Sequence, residues 1–117
     1  MSALAASLLL VGCAAPAKYT WGNYDRSLYN YYKDTAKSAE HIAELESIIQ
    51  SAEKTQTKVA PGIHAEYGYF LMQQGKSNEA IAQFEKEKVK WPESTQLMNS
   101  IIKMTASQAS KPLASKE

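Results

Sequence analysis

Cysteine occurs once in this 117-residue chain, at position 13, so no disulfide can close within it. Glycine (5 residues) and proline (4 residues) are scarce. Long stretches hold neither, which leaves few places where a helix must break. No sign of charge dominates: 13 Lys and Arg stand against 12 Asp and Glu, a net charge of +1. That balance gives no electrostatic reason to expect nucleic acid as a partner. Hydrophobic runs are short, and Ala3–Val11 falls well below a bilayer-spanning length. No catalytic constellation is recognisable. His41 and His64 fall on different expected helices, with no Cys or paired carboxylate at ligand spacing. No nucleophile-elbow pattern and no phosphate-cradling loop occurs. The expectation is a non-enzyme with no metal and no cofactor, His41 being a solvated helix residue and His64 a half-buried packing one. A chain of this length makes one domain at most, with a modest stability margin.

What is there begins with the lone cysteine. Ala3–Val11 suits a signal-peptide core and leads into Leu10-Val11-Gly12-Cys13. That block resembles the lipobox of bacterial lipoproteins, although no Lys or Arg precedes the apolar run. In such proteins the thiol carries a diacylglycerol, and cleavage before it makes the cysteine the N-terminus. Each buried methylene then contributes about 0.8 kcal/mol, so several acyl chains hold durably. The resemblance implies that residues 1–12 are a signal peptide and that Cys13 is lipidated. Ala14 follows, where an Asp commonly retains lipoproteins in the inner membrane, so the resemblance implies an outer-membrane anchor on the periplasmic side. Residues 13–20 would be a lipidated tether. The alternative is a buried core cysteine in an N-terminal helix.

The rest reads as helical. Trp21, Tyr24, Leu28 and Tyr31 recur on one face, with Tyr29 and Tyr32 off that stripe. Asp34 or Thr35 can cap a second helix, in which Ala39, Ile42, Leu45, Ile49 and Ala52 repeat at three-four spacing until about Thr57. Ala60-Pro61-Gly62 is a break. Helices over 62–74 and 77–90 follow, with Gly75 ending the first, Ser77 or Asn78 capping the second and Pro92 stopping it. A last helix spans 93–107, with Leu97, Ile101 and Met104 on one face and Met98 and Ile102 beside them. Lys86, Lys88 and Lys90 alternate with Glu85 and Glu87, the pattern of a solvated face. The helical domain is expected over 21–107, and residues 108–117 as a disordered tail.

Pro61–Ser94 resembles one tetratricopeptide repeat, a helix-turn-helix unit of roughly 34 residues. Laid on that pattern, Tyr67 and Leu71 take the large first-helix positions and Gly68 the small one. Gly75 is the turn, Ala80 the small second-helix residue, Phe84 the large aromatic and Pro92 the terminator. His64 replaces the usual Trp, and Glu87 replaces a usual Ala, which suggests a looser or exposed face there. A hairpin that fits the pattern by coincidence is the alternative. A single repeat closes no core, so the expected fold is all-α: a small bundle of four or five helices containing one tetratricopeptide-like hairpin.

The block Trp21-Gly22, Tyr24, Leu28-Tyr29, Tyr32-Lys33, taken with the lipobox and the repeat-like segment, resembles a family of small bacterial envelope lipoproteins of unassigned function. The resemblance covers Cys13 to about Ile102. Its members tend to accompany a lipoprotein similar to the curli-secretion channel subunit, which implies such a protein as partner. Three functions compete: a lipid-anchored, non-catalytic adaptor or assembly factor; a structural subunit of a secretion or appendage complex; and, weakest, a cell-envelope enzyme. Repeat helices of this type bind through the concave side of the first helix, where Gly62, Ala65, Tyr69, Met72 and Gln73 fall. Tyr69, Met72 and Gln73 are the expected partner-binding residues, with Tyr29 and Tyr32 as a second patch.

Overall fold

Asp25 in its first turn and Lys33 in its last complement the dipole of helix α1, Tyr24–Lys33. The computed structural model describes residues 18–111. Among them five α-helices and no strand occur, the all-α bundle expected. The other helices are α2 (Ser38–Thr55), α3 (Ile63–Gln73), α4 (Ser77–Lys90) and α5 (Thr95–Ala109), with 3-10 turns at Thr35–Lys37 and Pro92–Ser94. Each helix packs on the next in sequence. The signal peptide, Cys13 and the first part of the tether lie outside the described residues, as do the last six positions.

The connections follow local chemistry. Asp34 is extended, and its carboxylate accepts the Ala36 N–H at 3.0 Å, capping the turn into α2. Gln56 closes α2 in the left-handed region, at φ 55°. Gly75 does the same after α3, at φ 78°, and the Lys76 N–H returns to the Leu71 carbonyl at 2.9 Å. The cap of α4 differs from expectation: Lys76 holds that position, and neither Ser77 nor any other side chain caps it. Pro92 opens the second 3-10 turn, where its missing N–H costs nothing.

The core has two lobes. One gathers Leu45, Ile48, Ile49 and Ala52 of α2 with Val59, Ala60, Ile63 and Phe70. The other gathers Leu71, Ala80, Phe84 and Met98, and Tyr67 packs against both. Between α3 and α4 the approach is very close. A Cβ on Gly68 would stand 2.6 Å from Phe84 Cε1 and 3.1 Å from the Ala80 carbonyl oxygen. Only a hydrogen at this position lets the two helices meet with Phe84 fully buried.

Several expected faces shift. In α2 the buried line is His41, Leu45, Ile48, Ile49 and Ala52, and Ala39 is exposed. In α1 the inward residues are Tyr24, Ser27 and Tyr31; Leu28 is only half-buried and Trp21 is 44 % exposed. In α5 Met98, Ile101, Ile102 and Thr105 face inward, while Leu97 and Met104 are exposed. Apolar residues crowd two neighbouring stripes of that helix, and the angle at which it meets α4 selects between them. Glu87 is not solvated but buried: its Oε1 accepts the Gly62 N–H at 2.7 Å. Gly62 has no side chain with which to cap α3, so a carboxylate from α4 serves the positive end of that helix. At the boundaries, Tyr19 packs on the first lobe and so belongs to the domain rather than the tether. Gln108 and Ala109 belong to α5 rather than to a disordered tail.

Candidate binding surfaces and a buried polar relay

The two histidines prove to be interior. His41, on the buried line of α2 one turn before Leu45, is 0 % exposed, against the expectation of a solvated residue. Its Nδ1 is 2.8 Å from Ser27 Oγ, and its Nε2 is 2.7 Å from Glu66 Oε1. The Tyr24 hydroxyl donates to the other oxygen of Glu66 at 2.7 Å. Four residues from α1, α2 and α3 thus form one chain of hydrogen bonds. The Tyr31 ring stacks on the imidazole at 5.9 Å, and Phe70 meets it edge-on at 5.8 Å. Burial, and then the bond to Glu66, push the Tyr24 phenol well above its usual pKa, so it remains a donor.

Serine, histidine and glutamate in series match the composition of a nucleophilic triad. A nucleophile needs access to substrate and donors for the developing oxyanion. Ser27 is 4 % exposed, and its own N–H bonds the Asn23 carbonyl at 3.0 Å. Its hydroxyl also lies 3.0 Å from the Tyr24 carbonyl. What this geometry does is join three helices while satisfying each buried polar group. Ser27 and Glu66 carry no such role in the sequence. The signal that could have found them is His41 standing on the buried stripe of α2, where a polar ring requires partners.

His64 is also 0 % exposed, rather than half-buried, and its Nδ1 bonds Gln83 Oε1 at 2.8 Å. The amide oxygen accepts, so Nδ1 carries the proton. Burial lowers the His64 pKa, and Lys86 and Lys90 act the same way, against the Gln83 bond and Glu87. Among the described residues no group of three or more His, Cys, Asp and Glu comes together to hold a metal ion.

The remaining chemistry is on the outside. Tyr69 of α3 is 48 % exposed, and its hydroxyl accepts from the Gln73 amide at 3.0 Å. The Tyr69 ring leans edge-on against buried Phe70 at 6.0 Å, which holds it in place. Beside Gln73 a cleft runs between the turn after α1 and the end of α3, lined by Tyr31, Thr35, Ile42 and Phe70. Met72, grouped with Tyr69 and Gln73 by sequence, faces elsewhere: it is half-buried against the second lobe, and its sulfur accepts from Thr105. Of the other positions expected on that face, Ala65 packs on the same lobe and Gly62 is exposed at the start of α3. On α1, Tyr29 and Tyr32 are 59 % and 86 % exposed, and the Lys33 ammonium lies 5.2 Å from the Tyr29 ring centre.

A single family model spans this architecture, matching residues 18–101. The chain belongs to the DUF4810 family, a domain of unknown function. The DUF4810 match takes in α1 to α4, the relay and the first half of α5. No curated protein and no solved structure matches the chain.

Proposed function

We propose that this DUF4810 protein is a lipid-anchored, non-catalytic module of the bacterial envelope that binds another envelope protein through α3. The observation that carries the reading is the Tyr69–Gln73 pair: an exposed aromatic ring, fixed against Phe70 and hydrogen-bonded at its tip. A tyrosine held this way offers contact area and a polar end at low entropic cost. The α3–α4 hairpin supports the tetratricopeptide-like reading, because Gly68, Ala80 and Phe84 meet as that repeat requires. The first helix of such a unit lines the concave face that takes ligands. The anchor is read from Leu10-Val11-Gly12-Cys13. No helix among the described residues is long and apolar enough to cross a membrane. Ala14 favours the outer membrane, and the family resemblance favours a partner similar to the curli-secretion channel subunit.

The test is co-purification with such a channel-like lipoprotein, co-expressed and extracted in mild detergent. Tyr69→Ala and Gln73→Ala should reduce recovery about tenfold, the effect of losing an interface anchor of a little over 1 kcal/mol. Both should leave the melting temperature close to that of the parent, since the side chains are exposed. Undiminished recovery removes α3 from the interface. A large loss of stability would show instead that Tyr69 is packing. A second reading, a structural subunit of a larger assembly, is favoured by the exposed aromatic face of α1.

A further inference from the structure

Five residues of α1 share one outward stripe: Asp25, Leu28, Tyr29, Tyr32 and Lys33 line a single shallow depression. Their spacing, i, i+3, i+4, i+7 and i+8, is that of a helix face made to be covered. The inner face of α1 is already taken by Tyr24, Ser27 and Tyr31. The outer stripe has an apolar middle and opposite charges at its two ends, Asp25 toward the N-terminus and Lys33 toward the C-terminus. Among the described residues neither end is in an ion pair.

We propose that this stripe pairs with the same stripe of a second copy of the chain, with α1 antiparallel to α1 about a two-fold axis near Tyr29. The charge order selects that occupant. In an antiparallel pair centred at position 29, position 25 faces position 33 of the other copy. Asp25 therefore meets Lys33 twice, once at each end. A symmetric interface must be complementary to itself, and a face with an acid four residues before its centre and a base four residues after it meets that condition. A parallel arrangement would instead set acid against acid and base against base. Tyr29 and Leu28 of the two copies meet near the axis, and Tyr32 covers the flank. The depression is short, since α1 has 10 residues and spans about 15 Å. Stable dimers bury roughly 1,600 Å² in total, so the pairing is weak when the protein is free. The inference names the partner of the α1 patch and depends on neither the α3 contact nor the anchor.

Its test uses the full chain with Cys13→Ser, so that the only thiol is one placed deliberately. Tyr29→Cys puts that thiol beside the axis, and Ala43→Cys, at an exposed site on α2, sets the rate of random collision. Disulfide coupling at position 29 should outrun coupling at position 43. In the Tyr29→Cys background, Asp25→Lys alone and Lys33→Asp alone should each slow coupling about tenfold, because each sets like charges together at both ends. Mixing those two variants should restore the rate and give mostly the mixed dimer by mass, since every facing pair is then opposite in charge. Coupling no faster than the Ala43 collision rate overturns the proposal. So does a mixture that stays as slow as the separate variants, the result expected if another protein or another segment of this chain covers the stripe.

Discussion

The hydroxyl of Tyr24 donates to Glu66 Oε2 at 2.7 Å, joining residues 42 positions apart and tying the first helix to the third. The other oxygen of the same carboxylate holds His41, so Glu66 gathers two helices onto α3. This tie has no counterpart in the hydrophobic pattern, and its loss should be measurable.

Tyr24→Phe keeps the ring and removes one donor to a carboxylate. Glu66 is 25 % exposed at its side chain, so water replaces part of the bond. Equilibrium urea unfolding should show a loss of about 1–2 kcal/mol with an unchanged slope. His41→Ala takes one partner from each of Ser27 and Glu66 and opens a cavity, and should cost more, about 2–4 kcal/mol. If Tyr24→Phe is neutral, the Tyr24–Glu66 bond adds nothing to stability.

Gly68→Ala should already destabilise, and Gly68→Leu should unfold the domain. The first added carbon sits 2.6 Å from a Phe84 ring atom and 3.1 Å from the Ala80 carbonyl oxygen. One of those neighbours is backbone, so side-chain adjustment alone does not relieve the clash. Overpacking of about 1–3 kcal/mol is a large share of a small domain's stability. A thermal melt of Gly68→Ala that overlays the parent would show that α3 and α4 separate without cost.

Stability should fall below neutral pH through His64. Burial holds its pKa below the ordinary value near 6.5. The unfolded chain binds a proton as pH drops through that value, and the folded chain binds it only at lower pH. Over that interval the unfolded state carries more protons, so the contribution of His64 is complete above about pH 6.5 and is lost as pH falls toward the folded pKa. Urea midpoints at about pH 7.5 and about pH 5.5, in the parent and in His64→Gln, isolate the effect. The parent should lose more than the variant, and equal losses would assign the dependence to other groups.

Cys13→Ser should move the protein from the membrane fraction to the soluble fraction. Mass spectrometry of the mature N-terminus reads the same chemistry directly. A free thiol at Cys13 within an uncleaved chain would end the anchor reading.

The helical character and most breaks are legible in the residues. Gly75, Asp34, Ala60-Pro61-Gly62 and Pro92 act through their own backbone or side-chain chemistry, which needs no distant partner. Gly68 was readable for a related reason, since a glycine amid large residues at repeat spacing marks a close crossing. What failed was the choice of face where two apolar stripes compete, as in α5, and the fate of the polar residues.

Sequence by itself determined an all-α chain, its segment order, the Gly68 crossing and the exposure of Tyr29, Tyr32 and Tyr69. Only the tertiary structure decided that His41, His64 and Glu87 are interior and Leu97 and Met104 exterior. The reason is that burying a polar group depends on who waits to bond it. Glu66 and Ser27 receive His41, Gln83 receives His64, and the Gly62 N–H receives Glu87, each from a different helix. Such partners are distant in sequence, so periodicity along one helix does not reveal them, and the angle between helices brings them within reach.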